Sequence, residues 1–498
     1  MFGLLVLLSF CFLRLSYSLN IVIVSGCSTH FDSHKSTIYA LSNLKHNVIC
    51  ITCPKFKETV IELGGTYFES GEWNYNVETS KGIGVSLWQE ILTVRDFVMA
   101  ENKQFYESFQ SYLSQEGKPD IVLGDTFSFV VASVCEHQRI PFVYLSYSSR
   151  VPMGSKLKHK TIPLSTTFGG TPIEPYVWLI SLYAFETFLP LFRDVRTLDN
   201  EIRKNLGLDT FHLGSSQSKA LFPAFVLLPE SFMPWLEEDV GIHSVSHLPL
   251  KISNIGESID EFEELNDFLD KWHHKKPILY SAFGKSTALS ETDQNKLLQA
   301  FSKQKNFAVI SVFAKYNSKV NYHVKDHIYL ASHAPQKYLF QNKFVDAFIT
   351  HCGLNSFFES LPYGIAYVAM PQGRDQYGLA EVLINRNAAI YLKNEFSETE
   401  IVQQLNILSE RLNDLKQKSL DINAELSANN GTKKLNELVI HYASMKNTTR
   451  LYPDSFFMPW YIAATFYSSI AFFCLLLSVI FYYSIQCCRK MFIKQKTD

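Results

Sequence analysis

The chain has 498 residues, a formal net charge of −2 at pH 7, and 47% hydrophobic against 19% charged residues. That length is too great for one ordinary core and fits two domains with appendages. The near-neutral balance, with no basic stripe, excludes a nucleic-acid partner, and the composition is globular with a membrane contribution.

Residues 1–18 read as a secretory signal, with the apolar run LLVLLSFCF and small residues at Ser16 and Ser18. The segment 20–25 (NIVIVS) is a strand, 26–30 (GCSTH) the turn after it, 36–44 a helix, and 46–49 the start of a second strand. Strand, turn, helix and strand make the first unit of a doubly wound α/β domain. This places His30 at the carboxyl end of the first strand, where open parallel sheets bind ligands. PDIVLGD at 119–125 is a further strand, and it ends in Asp125. A histidine oriented by a buried carboxylate is a general base, because the acid fixes the tautomer and stabilises the imidazolium. His34, four residues after His30 on the same helical face, is the rival base.

The stretch 73–113 is mixed and helical in part, and 148–221 is rich in aromatics and prolines. The acceptor pocket is expected across these segments, because function resides in loops with apolar content on a rigid frame. FVLLP at 225–229 is expected to be the last strand of a first domain spanning 19–246, with a linker at 247–270. A helix is expected to begin at 268–272. PILYSAF at 277–283 then opens a second domain, 271–445, and Gly284 stands in the turn that follows. Ser290, with Asp293 three residues later, marks a helix start. No GxGxxG follows either first strand, which counts against a nicotinamide enzyme.

The densest polar pattern runs from 332 to 376. VDAFIT (345–350) and AYVAM (366–370) are apolar strands, HCGLNS (351–356) a turn into a short helix, and 371–376 the loop after the second strand. A helix opening offers unpaired N–H groups to a phosphate. Gly353 lets the main chain come close, and His351 can donate a hydrogen bond or carry charge. Glu359 could accept from ribose hydroxyls, and Asp375 with Gln376 suits sugar hydroxyls. These residues describe a site for a phosphate joined to a hydroxyl-rich group.

This stretch resembles the signature of the UDP-glycosyltransferase family in an invertebrate-like, membrane-anchored form. The matching pieces are APQ at 334–336, THCG at 350–353, Asn355-Ser356, Glu359, Gly364, Pro371 and Asp375-Gln376, in order and spacing. The resemblance implies two facing Rossmann-like domains of the GT-B type. It implies that Gln336 holds uracil, His351 the pyrophosphate, Glu359 the ribose, and Asp375 and Gln376 the sugar. Gly284, Ser286, His333, Gly353, Asn355 and Ser356 complete the implied donor site. It also implies His30 as base with Asp125 behind it, since 16 residues separate His30 from His46 in the family's layout. Direct displacement would then invert the sugar's anomeric carbon without metal or cofactor, the UDP-sugar being a co-substrate. Two positions depart from the family. His333 stands where a stacking Trp is usual, and Lys285 stands where Ser usually follows the glycine, with Ser286 next. A catalytically inactive lumenal binding protein is therefore the alternative. Glucose is the expected sugar, with glucuronate and galactose as alternatives, and the acceptor is a small lipophilic hydroxyl compound.

Residues 398–442 read as amphipathic helices that cover the second domain. Asn430 and Asn447 open glycosylation sequons. An apolar segment at 457–486 is long enough to span a bilayer of about 30 Å, and a basic tail at 487–498 marks the cytosolic side. The tail's closing lysines resemble a dilysine retrieval signal, so the expected place is the endoplasmic reticulum membrane, single-pass, with both domains lumenal. The expected partners are donor, acceptor and membrane, with a second copy of the chain left open. Cys50 and Cys53 have redox-motif spacing but lack a thioredoxin-like context, so buried thiols are expected. No cluster has metal-ligand spacing.

Overall fold

A computed structural model describes residues 18–26, 29–71, 87–125, 128–146, 190–210, 224–226, 242–245, 248, 262–284, 289–313, 325–372, 376–393, 395–428 and 430–445. The expected signal (1–18, apart from Ser18), the membrane segment (457–486) and the tail (487–498) lie outside them. Among the described residues no helix is long and apolar enough to cross a membrane.

The first domain runs β1 (Asn20–Val24), α1 (Thr29–Asn43), β2 (Asn47–Thr52), α2 (Lys57–Glu62), β3 (Thr66–Glu69) and α3 (Leu87–Gln115). It continues with β4 (Ile121–Asp125), α4 (Phe129–Gln138), β5 (Phe142–Ser146), α5 (Pro190–Asn205), β6 (Ala224–Val226) and β7 (Ile242–Ser244). The seven strands lie in the order β3-β2-β1-β4-β5-β6-β7, and the registered neighbours are parallel. Strands such as β1 and β4 are continuous apolar runs because helices cover both faces. Val22, Val24 and Val122 face α3 and α4, while Ile21, Ile23 and Leu123 face α1. The expected last strand at 225–229 is instead β6, and β7 follows it at the sheet edge.

The second domain runs α6 (Glu263–Trp272), β8 (Ile278–Ala282), α7 (Glu291–Lys303), β9 (Ala308–Val312), β10 (Ile328–Ala331), α8 (Gln336–Gln341) and β11 (Ala347–Thr350). After these come α9 (Leu354–Ser360), β12 (Ala366–Ala369), α10 (Gln376–Asn385), β13 (Ala389–Tyr391), α11 (Glu398–Ala428) and α12 (Gly431–Ala443). Its parallel sheet has the order β10-β9-β8-β11-β12-β13. Ser290 caps α7 as its spacing predicts, with Oγ accepting from Asp293 N–H at 3.1 Å.

Two boundaries move. The helix expected at 268 begins at Glu263, and its Leu265, Phe268 and Leu269 are buried in the second core, so the end of the expected linker belongs there. The last helix, α12, belongs by packing to the first domain. Leu435, Val439 and Tyr442 join the cluster of Ile21, Ile23 and Phe225. His46 accepts from Leu19 N–H at Nδ1 (3.2 Å), which leaves its Nε2 as the proton-bearing nitrogen facing Asn436 Oδ1 at 2.6 Å.

A buried polar cluster fixes α5 to α4. Ser133 Oγ donates to Asp199 Oδ1 (2.7 Å), and Arg203 Nη1 donates to Ser133 Oγ (3.1 Å) and Glu136 Oε2 (2.7 Å). Burial raises the Asp199 carboxyl to about 7, against the opposing pull of the Ser133 hydrogen bond and the Arg203 charge. The folded state then binds more protons than the unfolded chain between about 4 and 7, so this group's contribution to stability falls as pH rises through that window. Asp199→Asn is expected to remove that slope. The check compares thermal midpoints at pH 5 and pH 8, and an unchanged difference between variant and wild type refutes it.

Candidate active site

Both sheets reverse their winding at one point, between β1 and β4 in the first and between β8 and β11 in the second. Ligand crevices form at such switch points, outside the carboxyl ends of the strands. The expected residues gather there: the His30 turn follows β1, Asp125 ends β4, Gly284 follows β8 and His351 follows β11.

In the first domain, His30 lies in the first turn of α1, and its side chain is outside the described part. Asp125 is 2% exposed, and the residue found against it is His34, whose Nε2 stands 3.4 Å from Asp125 Oδ2. His34 is 1% exposed. Its ring lies in the interior beside the carboxylate. Spacing placed the two histidines on one face, and the fold shows that His34 faces inward.

In the second domain, the β11–α9 turn holds Cys352 at φ +61, a left-handed conformation uncommon for a residue other than glycine. Thr350 Oγ1 accepts from Cys352 N–H at 3.1 Å and fixes the turn. Sequence reasoning assigned neither residue a part in this. The His351 ring is buried between two glycines. A Cβ on Gly353 would stand 2.3 Å from Nε2, and one on Gly284 2.9 Å from the same atom. Gly353 therefore serves to admit the imidazole, which is a different reason from the one the sequence suggested. Burial pushes the His351 pKa down to about 4, partly offset by a hydrogen bond with the Ala282 main chain. Burial thus favours the neutral ring, which offers a hydrogen-bonding group. Its Nδ1 is buried with no hydrogen-bond partner among the described residues.

Gln336 begins α8, and its Nε2 donates to Glu359 Oε2 (2.7 Å) and Ser356 Oγ (3.3 Å) of α9. Burial raises the Glu359 carboxyl, and the Gln336 hydrogen bond opposes this. Asp32 and Lys35 of α1 also act on Glu359, so α1 of the first domain faces α9. Leu354 and Phe358 of α9 pack against the first core. Asn355 lies half-buried in the first turn of α9. His333 is exposed, and its ring is 5.9 Å from that of Phe262, tilted by 47°. Phe262 went unnoticed because it lies in the expected linker. Gln376 opens α10, and its Oε1 accepts from Gln372 N–H at 2.9 Å, closing the loop. Ser286, Lys285, Asp375 and Asn447 lie outside the described residues. Asn430 is exposed and caps α12 through Lys433 N–H. Cys53 is disulfide-bonded, while Cys50 is a buried thiol raised by desolvation. The expectation of two buried thiols is thus corrected, and the two cysteines do not pair with each other. Among the described residues no group of His, Cys, Asp or Glu could hold a metal ion.

The family model of UDP-glucoronosyl and UDP-glucosyl transferase matches residues 180–496, more than half of the chain. The chain belongs to that family. Within it, the UDP-glycosyltransferase 74F2 of Arabidopsis thaliana is 31% identical over 137 residues, 25% of this chain and 29% of that protein. The flavonol 7-O-beta-glucosyltransferase UGT74F1 of the same plant is 35% identical over 114 residues, 21% of this chain and 25% of that protein. The uncharacterized UDP-glucosyltransferase YdhE of Bacillus subtilis is 26% identical over 152 residues, 30% of this chain and 38% of that protein. The chain thus spans less than half the length of these curated relatives. Among solved structures, the glycotransferase of kitacinnamycin aligns with a TM-score of 0.65 at 14% identity, covering 86% of this chain and 99% of that one. UGT89C1 of Arabidopsis thaliana complexed with UDP-L-rhamnose aligns at 0.62 with 16% identity, covering 86% and 100%. The family member described here has the GT-B fold, with two parallel-sheet Rossmann-like domains.

Proposed function

We propose that this chain is an inverting glycosyltransferase that moves a hexose from a UDP-sugar to a hydroxyl of a small lipophilic acceptor. One observation carries the reading: the His30 turn and Asp125 stand at the first switch point, and Gly284 and His351 at the second, with α1 and α9 facing each other. His30 takes the proton of the acceptor hydroxyl, and Asp125 stabilises the imidazolium. The acceptor oxygen attacks the anomeric carbon as its bond to UDP breaks, so the configuration inverts and UDP leaves with the electron pair. His351 and the α9 turn meet the pyrophosphate, and the Gln336–Ser356–Glu359 cluster meets uridine. His333, backed by Phe262, gives the base an aromatic surface in place of Trp. Asp375 and Gln376 bind the sugar, and Gly284 and Ser286 flank the phosphates. The helix α9 has only seven residues, so the side chains contribute more to the site than its dipole does. The support is the family match, together with a relative named as a flavonol glucosyltransferase and a fold neighbour solved with UDP and with quercetin. Anchoring at 457–486, a lumenal body in the endoplasmic reticulum and glycans on Asn430 and Asn447 complete the proposal. The smaller ring at His333 favours a second reading, a lumenal binding protein without turnover.

The test is thermal stability of the detergent-solubilised protein with UDP, UDP-glucose, UDP-glucuronate and UDP-galactose. A ligand of the folded state raises stability by about 2.7 kcal/mol at a hundred times its Kd. A shift with UDP, enlarged by one sugar, supports the donor site and names the sugar. No shift with any nucleotide at millimolar concentration overturns the transferase reading.

A further inference from the structure

Asp125 closes β4 at the switch point, and its carboxylate is buried. Beneath it lies His34, one helical turn deeper along α1 than His30, with Nε2 3.4 Å from Oδ2. Two strand neighbours end in hydroxyls at the same level. Registers Val24↔Gly124 and Val24↔Ile51 carry Ser25 beside Asp125 and Thr52. Ser25 Oγ and Thr52 Oγ1 are both buried and have no hydrogen-bond partner among the described residues. His34 shares α1's inner face with Phe31, Thr37, Ile38 and Leu41, all at 0% exposure, and it is the titratable group among them.

We propose that His34 is a positioning residue for the transfer step: it holds the Asp125 carboxylate from below and keeps it turned toward the His30 turn. The inference rests on the transferase reading with His30 as base. Stability does not explain the pair. Burying a histidine beside a carboxylate is costly, and a well-packed apolar pair of similar volume is often equal or better. The separation of 3.4 Å is long beside the 2.7–2.9 Å of strong charge-assisted bonds, so the contact supplies direction more than energy. Direction is what a supporting acid needs, since displacement by about 1 Å can cost on the order of 100-fold in rate. Four residues of helix set His30 and His34 one turn apart, so a carboxylate held by His34 lies one turn from the His30 position.

The experiment compares His34→Gln, which keeps a side-chain N–H, with His34→Leu, which keeps volume alone, in the full-length protein. His34→Leu is expected to lower kcat about 10- to 100-fold. Its donor KM and its UDP-induced thermal shift should stay at wild-type values. His34→Gln is expected to recover all but a few-fold of kcat. Wild-type kcat in His34→Leu, or no recovery in His34→Gln, overturns the inference. Should His34→Leu fail to fold, Asp125→Asn is combined with His34→Gln. Losses that do not add support the coupling, and additive losses overturn it. A wild-type protein that transfers no sugar overturns the transferase reading itself, an outcome distinct from an active wild type with an active His34→Leu.

Discussion

His30→Ala is expected to lower kcat by about 10²- to 10⁴-fold, the range that general-base catalysis contributes. The UDP-induced thermal shift should survive, because the nucleotide is assigned to the other domain. His30 lies in the first turn of α1, after the turn that follows β1 at the carboxyl end of the sheet. Asp125 ends the neighbouring strand, and no element of the second domain separates them in the sheet order. The two measurements divide the possibilities. Loss of turnover with an intact UDP shift assigns the proton transfer to His30. Turnover at wild-type level removes His30 as base, and loss of the UDP shift as well means that the substitution has disturbed the fold.

Gly353→Ala is expected to weaken UDP binding by an order of magnitude or more, read as loss of most of the thermal shift. The added methyl would stand 2.3 Å from His351 Nε2, closer than real contacts allow. On its other side the ring already fills the place a side chain at Gly284 would need, 2.9 Å from the position of that missing Cβ. One of the two must move, and overpacking of this kind costs about 1–3 kcal/mol. The displaced group is the one assigned to the pyrophosphate, so the cost falls on binding as well as on stability. A variant with the wild-type UDP shift would show that His351 takes no part in donor binding.

The fold was legible where the hydrophobic pattern is continuous. VDAFIT and AYVAM became β11 and β12 almost as read, because strands buried on both faces tolerate only apolar residues. The Ser290 cap was legible because its chemistry is local. What could not be read depends on neighbours remote in sequence. The pairing of His34 with Asp125 spans 91 positions, and the docking of Asn436 on His46 spans 390. No periodicity encodes either one. The bias of His351 toward its neutral form follows from burial, which a polar turn in the sequence does not announce. Phe262 was hidden for the opposite reason: it precedes a helix that starts earlier than its apolar spacing suggested.

The return of α12 to the first domain has a consequence for how the molecule can be cut. By packing, the first body is discontinuous, assembled from the early chain and from a strip of Leu435, Val439 and Tyr442 nearly at the other end. The peptide therefore leaves the second body and returns to the first at α12. A fragment ending before Gly431 would expose the seat of that strip, and a fragment beginning at Glu263 would carry the strip without its seat. Neither half is a self-sufficient excision. The helix that precedes the expected anchor is packed on the first body, so a pull on that helix would load the first body before the second.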